Sequence, residues 1–192
     1  MGKGRLEAFS DGVIAVIITI MVLEMKAPHG AELSALVPLL PVFFSYVLSF
    51  IYVGIYWTNH HHLLHAVHKV DGRVMLANLF LLFWLSLFPF MTGWVGENHF
   101  ETVPVALYGV VLLMAAIGYT ILVRTLIALH GNESMLAAAI GGDVKGNISI
   151  ALYVAGIALA FVHSYLGFAC YVAVAAMWFI PDRRIERQVK GK

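Results

Sequence analysis

The chain has 192 residues, of which 61% are hydrophobic and only 12% are charged. Soluble domains carry roughly 25% charged residues, so this composition indicates an integral membrane protein and excludes an ordinary water-soluble domain. The formal net charge of +1 gives no sign of a nucleic-acid partner, and a single cysteine excludes a disulfide framework or a thiolate metal site within one chain.

Six apolar segments follow one another along the chain, and each has about the length, ~20 residues, that spans a hydrocarbon core of ~30 Å. They predict an all-α integral membrane protein in which residues 1–192 form one six-helix transmembrane domain. Pro89 is expected to kink the third helix, and the turn between the last two must be tight. The predicted helices are 8–26, 36–63, 74–96, 102–130, 146–163 and 165–181.

The basic residues predict the orientation of these helices in the lipid bilayer. If the N-terminus is inside, eleven of the twelve lysines and arginines lie on the cytoplasmic side and only Lys26 lies outside. Such a bias is typical of cytoplasmic loops. The sequence therefore predicts a multi-pass protein of the cell membrane with both termini cytoplasmic. Trp57 and Trp94 lie near helix ends and suit an interfacial aromatic belt.

Polar residues open the first helix, and two interpretations of them remain open. Ser10 and Asp11 could cap the start of the helix, where its dipole favours a carboxylate. Alternatively they form a polar contact that fixes the first helix against its neighbours, with Asn78 of the third helix joining the same network.

One face of the first helix carries Val16, Ile20 and Leu23, which are spaced at i, i+4 and i+7. Most such aliphatic stripes on membrane helices are lipid-facing or packing surface, so the spacing alone does not indicate a function.

Histidines cluster at the cytoplasmic end of the second helix and just beyond it. The cluster includes His60, His61, His65 and His68. The spacing of His61, His65 and His68 would let them share a transition metal on one helix face, but they are weak candidates because no cysteine lies nearby. The simpler alternative is that some of these histidines hydrogen-bond to Ser10 and Asp11 while the others are solvated. A pH-sensing role is also open.

Short motifs carry a resemblance to a known family over most of the chain. The opening helix closely resembles that of the prokaryotic transmembrane protein 175 family, which is the lysosomal potassium channel family. The residues that carry the resemblance are Arg5, Phe9, Ser10, Asp11, Gly12, Val13, Val22, Leu23, Glu24, Tyr56, Trp57, His60, His61, Asn78, Leu79, Leu87, Pro89, Phe90, Thr92, Pro181 and Arg183.

The resemblance implies a potassium-selective, leak-type channel that assembles as a symmetric homotetramer with the first helices lining the pore. It implies aliphatic constriction rings at Val16, Ile20 and Leu23, where family members commonly have isoleucine at the first position. Thr19 falls at a threonine of the family that is linked to ion preference. No cofactor is implied, and potassium is the permeant ion. The chain contains no Thr-Val-Gly-Tyr-Gly string, so a carbonyl-cage filter is not expected.

Two other functions compete with a cation channel. A proton-coupled secondary transporter could use Asp11 and the histidines as a relay, but it would need ionisable groups near the middle of the membrane. A membrane enzyme or metal protein would need a nucleophile or more carboxylate ligands than the sequence offers, so no enzyme activity is predicted.

Overall fold

The structure is a computed structural model that describes residues 2–131, 136 and 143–179. Every regular element in this part of the chain is helical, which confirms the all-α prediction. The elements are α1 (Lys3–Leu23), a 3₁₀ helix (Leu33–Leu39), α2 (Leu40–His65), α3 (Gly72–Ser86), α4 (Phe88–Glu97), α5 (Thr102–His130), α6 (Val144–Ala160) and α7 (Ser164–Phe179).

Four helical stretches are long and apolar enough to cross a membrane, while α6 and α7, of 17 and 16 residues, are shorter. The four stretches are Lys3–Leu23, Leu33–His65, Gly72–Glu97 and Thr102–His130. Each of the six predicted segments corresponds to one α-helix, except that the third contains both α3 and α4 and the second also overlaps the 3₁₀ helix. Only three residues separate α6 from α7. The predicted end of the last helix, at 181, lies outside the described residues.

The first helix begins five residues earlier than predicted and ends three residues earlier. Its opening turns contain charged residues, which a hydropathy criterion excludes from a span. Lys3 and Glu7 lie one turn apart and form an ion pair of 3.6 Å, a spacing that supports a helix. Charge therefore marks where the apolar span begins but does not stop the helix.

The third predicted helix is broken in two near Leu87, where a kink was expected. Pro89 has no N–H and cannot bond to the carbonyl of Leu85 in the preceding turn. Neighbouring hydroxyls stabilise the break. Ser86 Oγ donates to the carbonyl of Phe83 at 2.7 Å, and Thr92 Oγ1 lies 2.7 Å from the carbonyl of Phe88.

Helix α1 packs against α2, α3 and α4, while α5 packs against α3, α4, α6 and α7. Buried hydroxyls hold α2, α4 and α5 together inside the bundle. Ser49 Oγ lies 2.9 Å from Tyr108 Oη and 2.6 Å from Thr92 Oγ1. Thr92 Oγ1 can donate its single proton to Ser49 Oγ or to the carbonyl of Phe88, so the hydroxyls of Tyr108, Ser49 and Thr92 form one connected network.

The contact between α2 and α4 depends on a glycine, so Gly96→Ala is expected to destabilise the protein. A Cβ at Gly96 would lie 2.5 Å from Val42 Cα, and backbone atoms cannot move aside without separating the helices. Overpacking of this kind costs roughly 1–3 kcal/mol. Thermal unfolding in detergent measures the loss. Gly54→Ala on α2 is the control, because a Cβ there meets nothing within 4 Å. Equal stability of the two variants would contradict the prediction.

Candidate functional site

Helix α1 divides into a buried face and an exposed face. The buried face consists of Leu6, Ser10, Ile14, Ile17 and Met21, which pack against the rest of the protomer. On the other side the side chains of Val16, Ile20 and Leu23 are 54%, 43% and 73% exposed. The aliphatic stripe identified in the sequence is therefore not part of the protomer's core.

Val16 and Ile20 of the exposed stripe line an open groove between α1 and the break that separates α3 from α4, whereas Leu23 is not among its lining residues. Aliphatic and aromatic side chains line most of this groove, and Glu24 is its only carboxylate among the described residues. The lining residues are Ala8, Phe9, Gly12, Val13, Val16, Ile17, Ile20, Glu24, Ser86, Pro89 and Phe90. The surface left free by α1 is thus long, apolar and continuous.

Thr19 lies on the exposed part of α1, within the span of the stripe. Its Oγ1 is 2.9 Å from the carbonyl of Val16 and 3.1 Å from that of Ala15. A threonine hydroxyl has one proton, so a carbonyl of its own helix takes that proton and the lone pairs remain available. The exposed oxygen is therefore an acceptor that can approach a cation.

A buried hydrogen-bond chain ties α1 to α2 and α3. His60 Nε2 lies 2.7 Å from Asn78 Oδ1, Asn78 Nδ2 donates to Ser10 Oγ at 2.9 Å, and Ser10 Oγ donates to the carbonyl of Leu6 at 2.8 Å. The direction of this chain places the proton of His60 on Nε2. Ser10, His60 and Asn78 are all at most 1% exposed. The three helices therefore share one fully paired polar contact.

The capping interpretation of Ser10 and Asp11 is wrong. The helix begins at Lys3 with Gly2 as its cap, so both residues lie well inside it. The exposed carboxylate of Asp11 instead accepts a hydrogen bond of 3.1 Å from Trp57 Nε1 on α2. This tryptophan was expected only as an interfacial anchor, and its role as the Asp11 donor has no signal in the sequence. Arg5 and Phe9 of the same motif are exposed on the protomer.

The other histidines of the cluster do not converge on a point, because His61 and His65 lie one turn apart on α2 while His68 lies beyond the end of that helix. The ring of His61 stacks between those of Trp57 and His65, with centroid distances of 6.1 and 6.0 Å. The backbone N–H of His68 points to His130 Nε2 on α5 at 3.4 Å. Among the described residues, no group of three or more histidines, cysteines or carboxylates could hold a metal ion. The expected direct bonds from histidines to Ser10 and Asp11 are replaced by the Asn78 and Trp57 contacts.

A second set of charges lies at the opposite end of α1. Helix α1 ends at Leu23, and the carboxylate of Glu24 lies against Gly93 of α4. Lys26 Nζ donates to Glu97 Oε1 at 3.0 Å. This hydrogen bond, together with the charge of the Glu97 carboxylate, raises the pKa of Lys26, so the lysine stays charged and paired at neutral pH.

Comparisons with known proteins place these features in a family. The sequence profile described as "Endosomal/lysosomal potassium channel TMEM175" matches residues 5–89. A protein of Chryseobacterium sp. strain P1-3 that is named a potassium channel is 55% identical over 190 residues, which cover 99% of both chains. A mouse protein named an endosomal/lysosomal proton channel is 28% identical over 84% of this chain but only 36% of its own length.

A solved structure is also similar. The crystal structure described as a lysosomal potassium-selective channel TMEM175 homolog from Chamaesiphon minutus superimposes with a TM-score of 0.81 at 27% sequence identity. The alignment covers 94% of this chain and 97% of that one. The similarity therefore extends over nearly the whole helical bundle.

Proposed function

Because this chain belongs to the TMEM175 family, we propose that it is a potassium-selective, leak-type channel of the cell membrane that assembles as a homotetramer. The observation that carries the proposal is the exposed apolar stripe Val16, Ile20 and Leu23 on α1. A stripe that its own protomer leaves uncovered is available to meet its copies. One helix cannot enclose a pore, so the permeation path requires several copies around a rotation axis.

The burial of α1 supports this arrangement. Its membrane-spanning window is 28% buried within the protomer, against 33% for Leu33–His65 and 50% for Gly72–Glu97 and for Thr102–His130. Its inner face is nevertheless fixed by the Ser10–Asn78–His60 chain, so the helix is held in place while its other face stays free. A helix that is rigidly attached and half uncovered suits a pore wall formed on assembly.

The proposed mechanism follows from the length and chemistry of the stripe. Val16 to Leu23 covers about 10 Å along the helix at ~1.5 Å per residue. Four aliphatic side chains that meet on an axis at each level make a constriction that excludes water and gates by dewetting. An ion that crosses must give up part of its hydration shell. Potassium holds that shell less tightly than sodium does, and the exposed oxygen of Thr19 replaces some of the lost ligands.

The orientation with both termini cytoplasmic is part of the proposal. The start of α1, the end of α2 and the start of α3 meet at one end of the bundle, because Ser10, His60 and Asn78 bond to one another there. This is the end that the basic residues predict to be cytoplasmic. The pore then runs from the Ser10 end inside to the Leu23 end outside.

A second candidate is proton permeation, since the mouse relative is named a proton channel. The titratable groups of this chain that could relay protons are Asp11 and the histidines of α2. They gather at one end of the bundle rather than along the stripe, where Val16, Ile20 and Leu23 offer no exchangeable proton. A proton path or a proton-coupled carrier would need groups at mid-membrane, so potassium is the better-supported ion.

Recordings from purified protein in planar bilayers test both candidates. A potassium gradient at equal pH is expected to give unitary currents that reverse near the potassium equilibrium potential. A pH gradient at equal potassium is expected to leave the reversal potential at zero. Reversal that follows the pH gradient would favour proton permeation. Saturable flux without unitary events would contradict a channel of either kind.

A further inference from the structure

Glu24, the residue immediately after α1, packs against the backbone of the neighbouring helix α4. Its Oε2 lies where a Cβ on Gly93 would approach within 2.5 Å, so the carboxylate lies against the backbone of α4. Gly93 is buried and α4 has no side chain at this point. A larger residue at position 93 would displace the end of the Glu24 side chain, so glycine at this position lets the carboxylate pack against α4.

No described residue forms a hydrogen bond or an ion pair with Glu24. Lys26, two residues further on, donates to Glu97, although the charge of its ammonium group also attracts the Glu24 carboxylate. The end of α1 adds no compensation, because unpaired carbonyls and the negative end of the helix dipole collect there and disfavour a carboxylate. The Glu24 carboxylate therefore has no hydrogen-bond or ion-pair partner among the described residues and is available to a cation.

The position of Glu24 connects it to the stripe on α1. It lies four residues after Ile20, so it continues that side of the helix by one turn. It also lines the same open groove as Val16 and Ile20. The carboxylate therefore stands at the end of the apolar path, where the surface changes from aliphatic to charged.

The surrounding charges reinforce this position. At the end of the bundle where α1 terminates, the described residues include four carboxylates, those of Glu24, Glu32, Glu97 and Glu101, against one lysine, Lys26. Of these groups only Glu24 lines the groove. An excess of one sign of charge beside a low-dielectric wall raises the local concentration of counter-ions.

We propose that Glu24 concentrates monovalent cations at the mouth of the pore, directly before the Leu23 ring, as one of four carboxylates related by the symmetry axis. This inference rests on the proposed function. The carboxylates do not select among cations, since oxygens that lie outside the aliphatic rings leave the ions hydrated. The carboxylates instead raise the rate at which cations arrive at the constriction.

Glu24→Gln tests the proposal because glutamine has nearly the same size and shape as glutamate but carries no charge. In single-channel recordings at about 10 mM potassium, where the screening length is ~30 Å, we expect current in one polarity to fall about 2- to 5-fold. The affected polarity is the one in which cations enter at the Leu23 end. At about 1 M potassium, where the screening length is ~3 Å, the loss is expected to shrink below about 1.3-fold.

Two variants serve as controls. Glu24→Asp keeps the charge and is expected to retain more than half of the wild-type current at low salt. Glu101→Gln removes an exposed carboxylate from the same end of the bundle but not from the groove, so it is expected to change current by less than about 1.5-fold.

The outcomes separate this inference from the function on which it rests. A polarity-dependent and salt-sensitive loss with Glu24→Gln supports the inference. A conducting wild type whose current is unchanged by Glu24→Gln, or is reduced equally in both polarities and at both salt concentrations, overturns the inference alone. A wild type that is silent in the bilayer overturns the proposed function and this inference with it.

Discussion

Ile20→Asn is expected to raise the single-channel conductance about tenfold and to weaken discrimination between potassium and sodium. Ile20 is 43% exposed in the middle of the α1 stripe, so in the proposed tetramer four asparagines would replace the central aliphatic ring. Amide groups hold water and offer oxygen ligands, and a barrier lowered by ~1.4 kcal/mol corresponds to a tenfold faster crossing. Selectivity declines because potassium and sodium ions that keep their hydration shells differ less in the free energy needed to cross the constriction.

Val22→Asn is the matched control for this prediction. Val22 is 42% exposed, almost the same as Ile20, but lies two residues further on and therefore about 200° around the helix. We expect its conductance and its reversal potential under mixed potassium and sodium to match those of the wild type. If both variants alter permeation equally, the effect comes from adding a polar group to α1 and not from the proposed axis. If neither does, the constriction lies elsewhere.

The second large effect is expected from Asn78→Leu, which removes the central member of the buried hydrogen-bond chain. Asn78 accepts from His60 and donates to Ser10, and all three residues are buried. Leucine leaves the Nε2–H of His60 without an acceptor, and each unsatisfied buried group costs roughly 1–3 kcal/mol. We expect the thermal midpoint in detergent to fall by several degrees, since interhelical hydrogen bonds in membranes are worth ~0.6 to 1.7 kcal/mol.

Thr58→Val provides the comparison for that variant. The hydroxyl of Thr58 is exposed on α2 and bonds only within its own helix, to the carbonyl of Gly54 at 2.9 Å. Its loss is expected to leave the thermal midpoint within about one degree, because surface substitutions usually stay within ±0.5 kcal/mol. A midpoint for Asn78→Leu as high as that of Thr58→Val, together with unchanged conductance, would show that the hydrogen-bond chain does not hold α1 in place. A stable Asn78→Leu with altered conductance would show instead that it positions α1 without stabilising the fold.

The positions of the helices could be predicted closely from the sequence, because each span is a local feature. A hydrophobic stretch of about 20 residues is sufficient to identify a membrane helix whatever surrounds it. The main departures occur where another local rule competes. Residues 3–7 are helical although charged, since Lys3 and Glu7 pair along the helix. The third segment breaks near Leu87 because Pro89 removes a backbone donor, and the hydroxyl of Ser86 bonds to the carbonyl of Phe83 just before the break.

The candidate site could be predicted only in part. That Val16, Ile20 and Leu23 share one side of α1 follows from the helical repeat of 3.6 residues. The helical repeat does not determine whether that side is buried. Ile14, Ile17 and Met21 form an equally apolar face, and this is the face that the protomer covers. Composition cannot distinguish two apolar faces of one membrane helix.

The sequence by itself determined the class of this protein, its apolar segments and the periodicity of α1, because these properties depend on neighbours within one or two helical turns. Only the tertiary structure decided the partners of the polar groups. Ser10 forms a hydrogen bond with Asn78, 68 positions away in the chain, and Asp11 accepts one from Trp57 rather than from a histidine. Glu24 packs against Gly93. Such contacts depend on how three helices pack side by side, and the same residues in another packing would find other partners.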